Sequence, residues 1–99
     1  MREQIAADPY YQRCALSRWG GCDGRVQWHH VWIYAGRQIN EIWAIEPACE
    51  HHHDVVNKDG TIKRAFERLS LARATAEDLA KYPRKAWEEI KKYLYAEQK

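Results

Sequence analysis

Apolar residues change their spacing twice along this chain. The stretch Arg25-Val26-Gln27-Trp28-His29-His30-Val31-Trp32-Ile33-Tyr34 is dense in β-branched and aromatic side chains, which predicts a strand. Ala35-Gly36-Arg37-Gln38-Ile39-Asn40 reads as a loop. Ile42-Trp43-Ala44-Ile45-Glu46 reads as a second short strand, stopped by Pro47 because proline cannot donate to a sheet ladder. After Cys49 the period lengthens. Ile62, Ala65, Phe66 and Leu69 recur at helical spacing, with Lys63, Arg64, Glu67 and Arg68 on the other faces. Thr75, with Asp78 three residues on, predicts the N-cap of a short helix that ends before Pro83. Pro83 suits the first turn of a last helix, whose Ala86, Trp87, Ile90 and Leu94 form one stripe. Asp8-Pro9 marks a turn after a short helical or irregular lead. These stripes are core packing, and together they predict a small α+β fold, a single domain over 1–99 with a helical extension over 61–97.

Composition narrows the class. Ninety-nine residues, 45% hydrophobic and 30% charged, suffice for one modest globular core of the size often helped by a metal. No apolar run approaches the ~20 residues that span a bilayer, and Met1-Arg2-Glu3-Gln4-Ile5 has no apolar signal core, so a cytoplasmic protein with no membrane partner is expected. Three cysteines in a reducing compartment favour metal binding over disulfides. The net charge of +2 hides an asymmetry: 1–57 is acidic on balance, whereas 58–99 is basic. A basic half suits a polyanion such as nucleic acid, although a solvated helix face is the plainer reading of any one charge run. Five Trp and six Tyr are expected mostly in the core, with some free to stack on bases or sugars.

Every cysteine and histidine falls between positions 14 and 53. Cys14, Cys22, Cys49 and His52 would complete a tetrahedral zinc shell with no open position, which is a structural site. Gly20-Gly21 permits the bend needed to aim the first two thiolates at one ion. The alternative is that the three thiols are buried as small hydrophobes. Zinc would replace core area that so short a chain lacks, since its binding free energy becomes folding free energy. His29, His30, His51, His53 and Asn57 remain. Neighbours on a strand point to opposite faces, so one of His29 and His30 can ligate a second ion while the other works beside it. His53 and Asn57, four apart, share a helix face. A strand imidazole with that pair gives three ligands and leaves positions open for water and substrate.

The run Trp28-His29-His30-Val31, then Trp43-Ala44-Ile45-Glu46-Pro47-Ala48-Cys49, then His52-His53 and Asn57, resembles the HNH nuclease motif, and the match covers about residues 14–57. It is similar to small phage and mobile-element members of that family. The resemblance implies a ββα-metal (His-Me finger) core with a structural zinc knuckle. It also implies His29, His53 and Asn57 as ligands of a catalytic cation, His30 as general base, and Asn40 as the residue that orients the loop and the base. Two departures stand out. Asn40 lies further before Cys49 than the motif's Asn, whose place Ala44 takes. Asn57 stands where the last ligand is often His, and its amide oxygen suits a harder cation such as Mg2+ or Mn2+, with Ni2+ or Zn2+ as alternatives. The activity implied is metal-dependent DNA cleavage or nicking that leaves 5′-phosphate and 3′-hydroxyl ends, alone or within a larger phage or host complex.

Arg25, Arg37, Lys58, Lys63 and Arg64 flank the motif and are candidates for DNA phosphates. His51 is a solvated neighbour or a contact to zinc or phosphate. Trp28, Trp32 and Trp43 are expected to pack the hairpin against the helix. Two other functions stay open: a non-catalytic zinc-binding adaptor for DNA or protein, and a nuclease acting on RNA. An adaptor has no reason to carry His30 and Asn57.

Overall fold

Strands and helices alternate unevenly in the computed structural model, which describes residues 2–83, 87 and 88. The order is helix α1 (Arg2–Ala7), strands β1 (Val26–His30), β2 (Ile33–Tyr34), β3 (Arg37–Gln38) and β4 (Ile45–Cys49), then helices α2 (Glu50–Val55), α3 (Gly60–Arg73) and α4 (Ala76–Ala80). β1 pairs antiparallel with β4, and β2 with β3, so the fold is mixed α+β with two small sheets.

The strand expected over 25–34 is two strands. At its end β1 yields Val31, whose N–H turns to the Ala44 carbonyl (2.9 Å), and Trp32 is buried. The chain then reverses through Ala35 and Gly36, both at positive φ (54° and 79°), the left-handed pair that a tight two-residue hairpin needs. The expected loop 35–40 therefore contains β3. A uniform run of β-formers carries no mark of such a break.

The second strand is also shifted. Ile42–Ala44 form a 3-10 turn, and β4 runs through Pro47 rather than stopping before it. Pro47 stands opposite Trp28, and its carbonyl accepts from the Ala15 N–H at 2.8 Å. Its backbone edge thus faces away from β1, where a missing N–H costs the ladder nothing.

Caps fix the helix starts. Asp59 accepts from the N–H groups of Thr61 and Ile62 at α3. Thr75 and Asp78 form the expected reciprocal box at α4 (2.8 and 3.1 Å). Trp87 is helical and buried against Trp32 and Trp43, whereas Ala86, Ile90 and Leu94 of the expected last stripe, with the rest of 84–86 and 89–97, lie outside the described residues.

α3 supplies the side chains that hold the layers together. Phe66, fully buried, packs with Ile62 and Ala65 against Ala48 and Cys49. Ser70 accepts from the Trp32 indole N–H (2.9 Å) and donates to the Trp43 carbonyl (2.7 Å), tying the hairpin base to the 3-10 turn. Two expectations are corrected. Trp28 is not in the core but 37% exposed, and Glu67 is buried rather than on the polar side of α3.

Glu46 is fully buried on β4 beside α3. It accepts from Arg73 at 2.8 Å and from the Tyr10 hydroxyl, while the Arg73 guanidinium lies over the Tyr10 and Tyr11 rings at 4.3 and 4.8 Å. Burial pushes the Glu46 carboxyl above the usual carboxylate range, against the pull of Tyr10 and Arg73. Arg73→Met should therefore strand a buried charge. With 25% of the Arg73 side chain exposed, the expected loss is about 3 kcal/mol, the low end for breaking a buried pair. Adding Glu46→Gln should return most of it. Denaturant unfolding of the single and double variants checks this, and a neutral Arg73→Met would contradict it.

Candidate metal centre and adjoining cleft

Three segments meet at the end of β4. Leu16 to Trp19 turn the knuckle, Gly20 and Gly21 follow at φ of 80° and 75°, and the chain returns to β1. That path carries Cys14 and Cys22 to the junction where Cys49 ends β4 and caps α2, its sulfur accepting from the His52 N–H at 3.4 Å.

The four donors Cys14, Cys22, Cys49 and His52 lie within 4.8 Å of one another, as the sequence predicts. His52 Nδ1 faces the three sulfurs at 3.4, 3.5 and 3.2 Å. A tetrahedral zinc with ordinary bond lengths has S···N edges of about 3.6 Å, so the group can hold a zinc ion with little movement. The thiols alone are not an electrostatically settled set. Burial and the neighbouring Cys49 and Cys14 push the Cys22 thiol up to about 12. Cys49 lies below its ordinary value despite its burial, because the His52 and Asp23 backbones hydrogen-bond its thiolate. A divalent cation supplies the charge that lets all three ionise. His51 is exposed and stands outside the four, its ring against His52 and close to Gly21.

Successive residues of a helix point about 100° apart, so His53 leaves α2 on a different side from His52. It faces His29 across the sheet–helix seam, ring centres 5.4 Å apart at 77°. Two imidazoles sharing one ion at about 2.1 Å place their ring centres about 5 Å apart, so the pair fits a shared cation. Burial first, then repulsion from His53 and His30, lowers His29 to about 4, which leaves it neutral with a free lone pair at pH 7. Asn57 lies just past the end of α2 rather than within it, yet it lines the same cleft of about 460 Å³. His30 lines it too, and its Nε2 is 3.2 Å from Asn40 Oδ1. The departure in spacing thus does not keep Asn40 away from His30, because the β2–β3 hairpin folds back and brings residue 40 to the end of β1.

Of the five basic candidates, Lys63 lines the cleft, whereas Arg25, Arg37, Lys58 and Arg64 do not. The sequence pattern passed over Glu67 and Gln38, which also line it. Glu67 sits four residues after Lys63, so the helical phase of Lys63 was the available signal. No described helix is long and apolar enough to cross a membrane. No family model, characterised protein or solved structure matches the chain.

The Cys3His group should hold about one zinc per chain. Cys49→Ser removes a ligand and should lose the zinc and the fold, since structural zinc is worth ~10 kcal/mol or more in small zinc domains. Elemental analysis with circular dichroism checks this, and folded, zinc-free protein would contradict it.

A second outcome concerns His29. The unfolded chain takes up that proton near ~6.5 and the folded protein only near 4, so stability falls as pH drops through this window. Proton NMR of the zinc-loaded protein without further metal should show one imidazole with a midpoint near 4. A His29 midpoint near 6.5 would refute its buried, like-charged setting.

Proposed function

We propose that the chain is a metal-dependent HNH-type endonuclease or nickase, built on a ββα-metal core, that hydrolyses DNA phosphodiester bonds. One observation carries it: His30, with Asn40 Oδ1 at its Nε2, lines the same cleft as the His29–His53 pair and Asn57. A base held by an amide beside a set of nitrogen and oxygen donors is what phosphodiester hydrolysis requires, and a purely structural zinc module has no use for it.

Asn40 Oδ1 accepts from the protonated Nε2 of His30, which leaves the lone pair on Nδ1. His30 Nδ1 then takes a proton from a water in the cleft as that water's oxygen attacks phosphorus. The bond to the 3′ oxygen breaks, and that oxygen takes a proton from solvent water, leaving a 5′-phosphate and a 3′-hydroxyl. Asn40 is a positioning residue, holding the ring and its tautomer through that transfer. His29, His53 and Asn57 would hold the divalent cation, with Mg2+ and Mn2+ suited by the amide oxygen and Ni2+ or Zn2+ by the imidazoles. When bound, such a cation stabilises negative charge on the phosphate and the departing oxygen. Lys63, on the cleft wall, offers a phosphate contact.

Plasmid cleavage in the presence of each divalent metal tests this. His30→Ala should keep fold, zinc content and DNA affinity, and lose about 10²–10⁴-fold in cleavage rate. Asn40→Ala should lose less. His30→Ala cleaving as fast as wild type would rule out the mechanism. A wild type inert with Mg2+, Mn2+, Ni2+ and Zn2+ would favour a zinc-binding adaptor, and cleavage of RNA in preference to DNA would change the substrate.

A further inference from the structure

A second concavity, of about 480 Å³, lies on the zinc side of the molecule, lined by Arg13, Ser17, Arg18 and Val26 beside the cysteines. Two arginines and no carboxylate line it, and the Glu50 carboxylate stands against Gly24 at its edge. Both arginines are exposed, and among the described residues neither makes a hydrogen bond or ion pair. The sequence had pointed to the basic C-terminal half for a polyanion. Yet Arg73 and Lys81 of that half are engaged with Glu46 and Glu41, while these two arginines of the acidic half are free.

One face of β1 joins this hollow to the cleft. The ladder from Val26 to His30 is regular, so Val26, Trp28 and His30 share a face. Val26 lines the hollow; Trp28 and His30 line the cleft. Val26 and Trp28 are each 37% exposed, so the stripe between the two concavities is open. At the rise of a strand, Val26 and His30 are about 13 Å apart. Because each ~3.4 Å rise also turns the strand around the axis, successive phosphates stand about 7 Å apart, and that distance corresponds to about two nucleotides of one strand.

We propose that Arg13 and Arg18 hold backbone phosphates of a DNA duplex about two nucleotides from the position seated in the cleft, with the exposed face of β1 as the track between. The guanidinium fork matches phosphate oxygens in a bidentate way. Both arginines stand on the knuckle that Cys14 and Cys22 anchor, so zinc would hold them in place before DNA arrives. The location of the scissile phosphate rests on the nuclease function proposed above; the phosphate contacts do not, and they are read from binding alone.

The test is the salt dependence of duplex binding by the full, zinc-loaded chain on a His30→Ala background, followed by fluorescence anisotropy. Each phosphate contact removed lowers the slope of log affinity against log salt by about 0.9. Arg13→Gln/Arg18→Gln should therefore flatten it by about 2 with zinc content unchanged, and Arg18→Gln alone by about 1. Hydrolysis of bis(p-nitrophenyl) phosphate by the double variant with His30 intact, a substrate too small to reach the hollow, should match wild type. An unchanged slope overturns the proposal. So does loss of zinc in the double variant together with an unchanged slope in Arg18→Gln, since the arginines would then only balance thiolate charge. Tighter, equally arginine-dependent binding of single-stranded RNA overturns the duplex assignment. A flattened slope in a chain that cleaves nothing upholds the phosphate contacts and removes the nuclease function instead.

Discussion

The approach of His52 Nδ1 to three sulfurs is the constraint on which the rest of the structure depends. Cys49 has two duties at that point. It ends β4 and it caps α2, so the direction in which the helix leaves the sheet is set by the same sulfur that would bind zinc. Cys14 and Cys22 bring the knuckle onto that junction from the other side. With α2 so aimed, the next residue, His53, has one place to go, which is against His29. In a 99-residue chain, a core that the described residues divide into three small clusters leaves little else with which to fix that angle.

Burial then sorts the titratable groups by what they can do. His29, enclosed by Phe66 and repelled by two neighbouring imidazoles, is kept neutral and so remains a donor of electrons. His30, one residue on, leans instead on Asn40 Oδ1, the contact that the proposed proton-acceptor role would use. Glu46, directly across the ladder from His29, is engaged by Arg73 and Tyr10. Its carboxylate belongs to the scaffold: it ties α3 and the N-terminal lead to β4.

The Cys3His group was legible in the sequence because thiolate and imidazole are rare, chemically distinctive side chains, and their two close groupings survive any local error in strand limits. The cleft was legible for a weaker reason. Strand alternation at His29-His30 and helical spacing at His53 and Asn57 pointed to one place, although Asn57 falls just outside its helix. What the sequence hid were features set by partners far along the chain. β1 ends at His30 because Ala44 offers a carbonyl to Val31, and Pro47 sits inside a strand because Ala15 takes its free edge. Glu46 is buried because Arg73 reaches it from 27 residues away. Nothing in a run of apolar or charged letters announces such pairings. Trp28, taken for core, is exposed along the strand face that leads from the knuckle to the cleft.

One small chain carries two groups of candidate metal donors of different character, a closed Cys3His shell and, one helical step away, the imidazoles of an open cleft. Spectroscopic titration with Co2+ of protein produced with cobalt in place of zinc tests this most directly. The first equivalent should already be in place, with strong thiolate charge-transfer absorption that Cys49→Ser abolishes. A second equivalent should bind more weakly, without such bands, and be lost in His53→Ala while the first remains. If His53→Ala released the thiolate-bound ion, or if the wild type took up no second ion, the separation of the two sites would be wrong.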